Sequence, residues 1–124
     1  MTYAEIATMI AGTGLPNAYY EFPIDENNPA PDPPFITFYY SADADLMADN
    51  GNYVHIVVLT IELYTDNKDF DSESAIETAL RGAGLAWDRT ETFIDSERMF
   101  QTTYTTEIII TPTENIITES DSNE

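Results

Sequence analysis

Residues 53–65 form a run of thirteen β-prone residues without a glycine or proline, and this run limits the folds open to the chain. At about 3.3 Å per residue, a straight strand of that length spans about 43 Å. A compact chain of 124 residues has a radius of gyration near ~14 Å and is therefore only about 35 Å across. The strand must bend, or it must extend beyond its own domain.

The two faces of this run differ in polarity along its length. Alternate residues of a strand lie on opposite faces of its sheet. One face is apolar at almost every position and comprises Tyr53, His55, Val57, Leu59, Ile61 and Leu63. The other face has Val54, Ile56 and Val58 and becomes polar only at Thr60 and Glu62. Helices on one side of a small sheet leave the other side to water, so the doubly apolar half predicts cover from a neighbouring subunit.

Two segments have the period and the end signals of helices. Thr2 and Glu5 form a capping box that predicts a helix over 3–12, which Gly12 or Gly14 ends. A second helix is predicted over 72–83, with Asp69 or Asp71 as its cap. Strands are expected over 17–22, 35–40, 53–65, 86–93 and 99–111.

The resulting order, α-β-β-β-α-β-β, predicts an α+β fold of two layers. Short connections favour a mainly antiparallel sheet with both helices on one face. Interspersed charges make 86–93 an edge strand. Five prolines in 23–34 predict an exposed loop, a more frequent outcome than a proline-rich ligand for a recognition domain. We expect one domain over 1–112 and a flexible acidic tail over 113–124.

The net charge of −19 excludes several classes of partner. A nucleic-acid binder needs a face of lysine and arginine, and an anionic membrane surface repels such a chain. The charge itself is compatible with a solvated surface, a halophile surface, or a surface that faces DNA without binding it tightly. All the basic residues lie within 68–98 and are candidates for ion pairs between subunits: Lys68, Arg81, Arg89 and Arg98.

No combination of residues predicts a catalytic or metal site. The chain has no cysteine and only one histidine, His55, so neither a zinc site nor a Ser-His-Asp triad is expected. The acids near Gly51 do not have the spacing of a calcium loop, although a weak cation site remains an alternative there. We therefore expect no enzymatic activity, no cofactor and no metal. No apolar run is long enough to span a membrane, and synthesis in the cytoplasm is expected.

Several segments resemble one protein family when they are taken in order. They are Tyr3 through Gly14-Leu15-Pro16 with Ala18-Tyr19, Pro33-Pro34-Phe35-Ile36, Ala48-Asp49-Asn50-Gly51 with Tyr53, Ile61-Glu62-Leu63-Tyr64-Thr65-Asp66 with Lys68-Asp69, and Glu91-Thr92 with Ile94 and Ser96-Glu97. Across about residues 1–110 the chain is similar to the tail completion (tail terminator) proteins of long-tailed phages of Gram-positive bacteria. The proline-rich loop and the acidic tail depart from that pattern.

The resemblance implies a structural protein of the virion, located at the head-tail interface and made in the host cytoplasm. Such proteins form a ring, usually a hexamer, that ends the tail tube at its head-proximal face and meets the head connector. DNA passes through the ring without being bound tightly, and the family has no catalytic residues. The competing hypothesis is a small acidic protein that mimics DNA and inhibits a basic nucleic-acid-binding partner.

The doubly apolar half-strand and the polar loop before it are the predicted contacts with another subunit or partner. The acidic loop 41–52 leads directly into that half-strand, so the two should meet the same neighbour. The predicted contact residues are Asp43, Asp45, Asp49, Asn50, Tyr53, Val54, Ile56 and Val58.

Overall fold

A computed structural model describes residues 1–27, 29–47 and 53–111. Two helices are present, α1 (Tyr3–Ala11) and α2 (Phe70–Gly82). The strands are β1 (Asn17–Tyr19), β2 (Phe35–Asp43), β3 (Leu46–Met47), β4 (Tyr53–Val54), β5 (Ile56–Thr65), β6 (Asp88–Ile94) and β7 (Met99–Ile109). The predicted α+β fold is confirmed. The predicted tail over 113–124 and the predicted contacts Asp49 and Asn50 lie outside the described residues.

The helix α1 begins at Tyr3 as predicted, whereas α2 begins at Phe70, two residues before the predicted start, and its cap is Asp69, one of the two predicted caps. The Thr2 side chain accepts a hydrogen bond from the Glu5 amide, and the Glu5 carboxylate accepts one from the Thr2 amide, which completes the capping box. At α2 the Asp69 carboxylate accepts from the Ser72 amide. In the described ranges, neither helix is long and apolar enough to cross a membrane.

Five strands form the main sheet, in the order β1-β2-β5-β7-β6. β1 runs parallel to β2, and all the other neighbours are antiparallel. β6 lies at one edge, as its scattered charges predicted. β3 and β4 form a separate antiparallel pair.

Both helices pack on the same side of the sheet. Ile6 and Ile10 of α1 and Ile76 and Leu80 of α2 belong to the buried core. Their partners from the sheet include the buried side chains Ile36, Phe38, Val57, Leu59, Ile61, Leu63, Tyr104 and Ile108. The opposite side of the sheet has neither helix on it, and we refer to it as the open face. Its central residues are Thr37, Tyr39, Ile56, Val58, Thr60, Glu62, Tyr64, Gln101, Thr103, Thr105, Glu107 and Ile109.

The long run over 53–65 does not form one strand, because the ladder breaks at His55. Residues before the break pair with β3, whereas residues after it pair with β2 and β7. The run is thus divided at His55 into two strands that have different partners.

Two other strand predictions were wrong by three residues at one end, and those over 86–93 and 99–111 differ from β6 and β7 by two residues or fewer at either end. The strand predicted over 17–22 ends at Tyr19, because Tyr20 has a positive φ of 69° and leaves the extended conformation. The strand predicted over 35–40 continues to Asp43 through a bulge between Tyr40 and Ala42, so the polar loop predicted from residue 41 begins later.

Candidate assembly surface

The apolar end of the open face comprises Ile56, Val58 and Ile109. Ile56 lies opposite Ile109 in the ladder, and Val58 lies opposite Glu107. Ile109 is 60% exposed, and Val54 of the neighbouring β4 is 37% exposed. The apolar half of the run over 53–65 was predicted to be covered by a neighbouring subunit. Part of it is exposed apolar surface in the described residues.

The same end of the sheet has a strand edge that β6 does not cover. β6 begins with Asp88 opposite Thr105, whereas β7 continues to Ile109. Within the described ranges, residues 106–109 form a strand ladder only with β5. At the end of the edge the Met1 amino group donates to the Ile109 carbonyl, and the Thr111 amide donates to the Met1 carbonyl. A groove of about 420 Å³ lies beside this edge, lined in part by Val58, Trp87 and Glu107. Unpaired strand edges are places where another chain can add backbone hydrogen bonds.

The acidic residues predicted as partner contacts have different positions. Asp43 is exposed at the end of β2. Asp45 has an intramolecular role, because its Oδ1 atom accepts a hydrogen bond from the Ile56 amide at 3.0 Å and lies 2.7 Å from Nδ1 of His55. The hydrogen bond from Ile56, followed by the interaction with His55, lowers the pKa of Asp45 below its usual value. Tyr53 pairs through its backbone with Met47 of β3.

His55 connects two parts of the fold. Its Nε2 atom lies 3.0 Å from the hydroxyl oxygen of Tyr3 on α1, and its Nδ1 atom faces Asp45. Its carbonyl oxygen accepts a hydrogen bond from the Ile110 amide. The histidine therefore lies where the strand run breaks and joins that break to α1 and to the end of β7.

Two of the four basic residues, Lys68 and Arg89, share a nearly buried ion-pair partner within the chain. Glu73 lies 2.8 Å from Lys68 Nζ and 2.7 Å from an Arg89 guanidinium nitrogen, and its side chain is only 9% exposed. Glu91 contacts both cations as well. Hydrogen bonds to Glu73 and Glu91 raise the pKa of Lys68. Lys68 and Arg89, which were predicted to pair with a neighbouring subunit, therefore both have ion-pair partners within their own chain.

The other two basic residues have looser surroundings. The Arg81 guanidinium lies 5.5 Å from the centre of the Trp87 ring. The Arg98 side chain is 79% exposed and lies 3.7 Å from Asp95. Of the four proposed inter-subunit cations, these two have the weaker contacts inside the chain.

Sequence reasoning missed a hydrogen-bonded carboxylate at the centre of the open face. Glu62 Oε1 accepts from Tyr64 at 2.9 Å and from Thr37 at 3.3 Å, and Oε2 accepts from Tyr39 at 3.2 Å. Gln101 donates to the Tyr64 hydroxyl at 3.0 Å. The sequence shows that the open face becomes polar near Glu62. The partners of Glu62 come from β2 and β5, Gln101 of β7 joins through Tyr64, and only the register brings these residues together.

No metal centre is evident in the described residues. Over these ranges, histidine, aspartate and glutamate do not form a group of three or more that could hold a metal ion.

Comparison with solved structures identifies a similar fold in a virion particle. A chain in a structure described as the virion of a native gene transfer agent particle superposes with a TM-score of 0.56. The match covers 84% of this chain and 84% of that chain, at 17% sequence identity. The two chains share a fold. No family model matches the chain. No curated protein matches it either.

Proposed function

We propose that this protein is a structural component of a virion, a ring that caps the head-proximal end of a phage tail tube and joins it to the head connector. The observation that supports this proposal most is the fold shared with a virion chain over 84% of both chains. The tail completion resemblance of the sequence points to the same kind of particle. DNA passes through the lumen of the proposed ring, and the protein acts without catalysis.

The apolar end of the open face, with Ile56, Val58 and Ile109, supports the proposal that subunits contact one another in a ring. Ile109 and Val54 are exposed apolar residues near the edge at 106–109, which β6 does not cover. A neighbouring subunit that covers this end of the sheet removes apolar area from water and adds partners to that edge. The predicted contact residues Ile56 and Val58 belong to the same end, and Asp43 and Asp45 lie beside it.

The charge distribution supports the proposal that DNA passes through the lumen of the ring. Residues 1–67 include ten acids and no lysine or arginine. Lys68 and Arg89 are already paired with Glu73, so little positive charge remains to hold DNA phosphates. A wall of this kind repels DNA and lets it pass.

The mass of the purified protein, alone and with tail tubes, tests the proposal. We expect a species about six times the 13.9 kDa monomer, or assembly into such a ring on one end of purified tubes. Tubes polymerised with the protein are expected to stop growing, and tubes polymerised without it to continue.

The same experiment distinguishes the tail proposal from the DNA-mimic hypothesis, which the excess of acids also favours. A mimic is a stable monomer or dimer that leaves tube length unchanged and forms a salt-sensitive complex with a basic protein. That combination of results would reject the tail proposal.

A further inference from the structure

The groove beside the β7 edge contains two carboxylates on one face of the sheet. Asp88 lies opposite Thr105, and Glu107 follows two residues further along β7, so both acids lie on the open face and line the groove. Such diagonal neighbours are about 7–8 Å apart, and two negative charges at that separation repel each other. Within the described ranges, neither carboxylate has a hydrogen-bond or ion-pair partner.

Apolar side chains line this groove of about 420 Å³ together with the two carboxylates. Val58 belongs to β5, and Leu85 and Trp87 belong to the segment that leads into β6. Ion pairs that are partly buried against apolar walls are screened by salt much less than pairs on an open surface. A cation that enters the groove therefore interacts with both acids and relieves their repulsion.

Only one cation of the chain extends into solvent without a close partner. Lys68 and Arg89 share a nearly buried carboxylate. Arg81 lies over the Trp87 ring and, among the described residues, forms no ion pair with an acid of the groove. The Arg98 side chain is 79% exposed, and the nearest carboxylate oxygen in its own chain is 3.7 Å away. Arg98 is therefore the cation that this chain can offer to a neighbour.

Arg98 lies at the tip of the hairpin that β6 and β7 form. Its φ of 55° is in the left-handed region, where glycine is the least strained residue. Its guanidinium group lies 5.7 Å from the centre of the Phe93 ring, which is 42% exposed. A cation and an aromatic ring thus project together from the tip, and a long side chain at a strained position points to a role for that side chain.

The tip and the groove lie at opposite ends of the same hairpin. β6 has seven residues, which at about 3.3 Å each separate the tip from the groove by about 20 Å. An arginine side chain does not span that distance, so Arg98 cannot enter the groove of its own chain. A subunit with a projecting tip at one end and a groove at the other can join its neighbours head to tail, and contacts of this kind close into rings.

We propose that Arg98 of one subunit enters the groove of the next subunit and lies between Asp88 and Glu107. The Phe93 ring beside it meets the apolar wall of the groove. This inference rests on the proposed ring and names the contact that joins its subunits. One cation for each contact is small against a charge of −19 on each subunit, so apolar burial still supplies most of the association and salt still favours the ring.

Charge reversal on each side tests the contact. Arg98→Glu and the double variant Asp88→Lys/Glu107→Lys are each expected to weaken assembly at least fivefold, measured by sedimentation alone and with tail tubes. The double variant changes the net charge from −19 to −15, because each replacement adds two positive charges, so general repulsion alone predicts stronger assembly. Glu21→Lys/Asp66→Lys makes the same change of charge at exposed positions and is the matched control, which should not weaken assembly.

A mixture of the two defective variants tests the direction of the contact. The Arg98→Glu chain keeps an intact groove, and the Asp88→Lys/Glu107→Lys chain keeps an intact tip. Together they should form a pair, with one copy of each, that neither forms alone and that does not extend into a ring. All three substitutions in one chain restore opposite charges on the two surfaces and should recover assembly.

Arg98→Gly separates the contact from folding. Glycine suits the positive φ, so this variant is expected to unfold at a higher denaturant concentration than wild type and yet to assemble at least fivefold more weakly. Assembly of Arg98→Gly and Arg98→Glu at the wild-type level, or stronger assembly of the groove variant as its net charge predicts, would reject the contact and leave the ring proposal standing. A wild type that assembles neither alone nor on tubes would reject the ring itself.

Discussion

Ile56 and Ile109 face each other across neighbouring strands, and both side chains lie on the side of the sheet that neither helix covers. In the described chain Ile109 is 60% exposed, whereas Ile108, which lies on the helix-covered face of the same strand, is buried. β6 does not extend beyond Thr105 at this end of the sheet, so the isoleucine pair and the edge beside it form the surface that a neighbouring subunit would cover in the proposed ring.

Replacing Ile109 by serine is expected to weaken ring assembly and leave the isolated fold intact. Covering an isoleucine is worth about 1.5–3 kcal/mol, so the association constant of each contact should fall about tenfold or more. Sedimentation of wild type and variant over a concentration series measures the change. Phe70→Ser is the matched control, since Phe70 is 71% exposed at the start of α2, and it should assemble normally. Normal assembly of Ile109→Ser would remove this end of the sheet from the interface.

Asp69 is expected to stabilise α2 through its cap. Replacing it by alanine leaves the Ser72 amide without its acceptor and should lower the free energy of unfolding by about 1 kcal/mol at pH 7. Urea unfolding followed by circular dichroism measures this change. Asp69→Asn is the control, because an asparagine also caps helices.

The contribution of Asp69 is also expected to depend on pH. Hydrogen bonds from Ser72 lower the pKa of Asp69 in the folded protein below its ordinary value of 3.8. A carboxylate with a lowered folded pKa stabilises the protein above its unfolded pKa and loses that effect as the pH falls through the folded value. The gap in stability between wild type and Asp69→Ala should therefore shrink as the pH falls below about 4. A constant gap down to pH 2 would contradict this account.

The network around Glu73 is expected to tie α2 to β6. Removing this nearly buried carboxylate by Glu73→Gln leaves Lys68 and Arg89 close together with Glu91 as their remaining shared partner. We expect a loss of about 1–3 kcal/mol in the free energy of unfolding, measured by chemical denaturation. Glu97→Gln, an exposed change of the same kind, should cost less than about 0.5 kcal/mol. Equal effects of the two variants would show that the network adds nothing specific.

The features that the sequence predicts well are local. The caps at Thr2 and Asp69 depend on residues three apart, and the alternation over 57–63 identifies the buried face of β5 without knowledge of its neighbours. These patterns locate both helices and the central strand because each is set by backbone geometry over a few residues.

The features that the sequence does not predict depend on distant residues. The break at His55 accompanies contacts to Tyr3 and Asp45, which lie 52 and 10 residues away in the chain. The acceptor role of Glu62 requires Thr37 from β2 and Tyr64 from β5 to meet in register. Likewise, the ion pairs of Lys68 and Arg89 form inside the chain because α2 packs beside β6, a proximity that composition alone cannot show.

The response of assembly to salt is the strongest test of how the ring is held together. Each subunit has a charge of −19, so neighbours in a ring repel one another and apolar contacts must overcome that repulsion. Salt shortens the Debye length from about 10 Å at 0.1 M to about 3 Å at 1 M, which weakens the repulsion and leaves the contacts at Ile56 and Ile109 in place. We expect light scattering or sedimentation to show more ring as salt rises, and a mobility-shift assay to show no tight complex with duplex DNA.

The opposite response to salt has a specific structural meaning. Rings that dissociate on addition of salt would be held by ion pairs between subunits, and Lys68 and Arg89 already have partners in their own chain. Arg81 and Arg98 would then be the cations involved, and Arg98→Gln should abolish the salt effect. Tight binding of duplex DNA at low salt would instead reject the lumen proposal, because a wall that lets DNA slide cannot hold its phosphates.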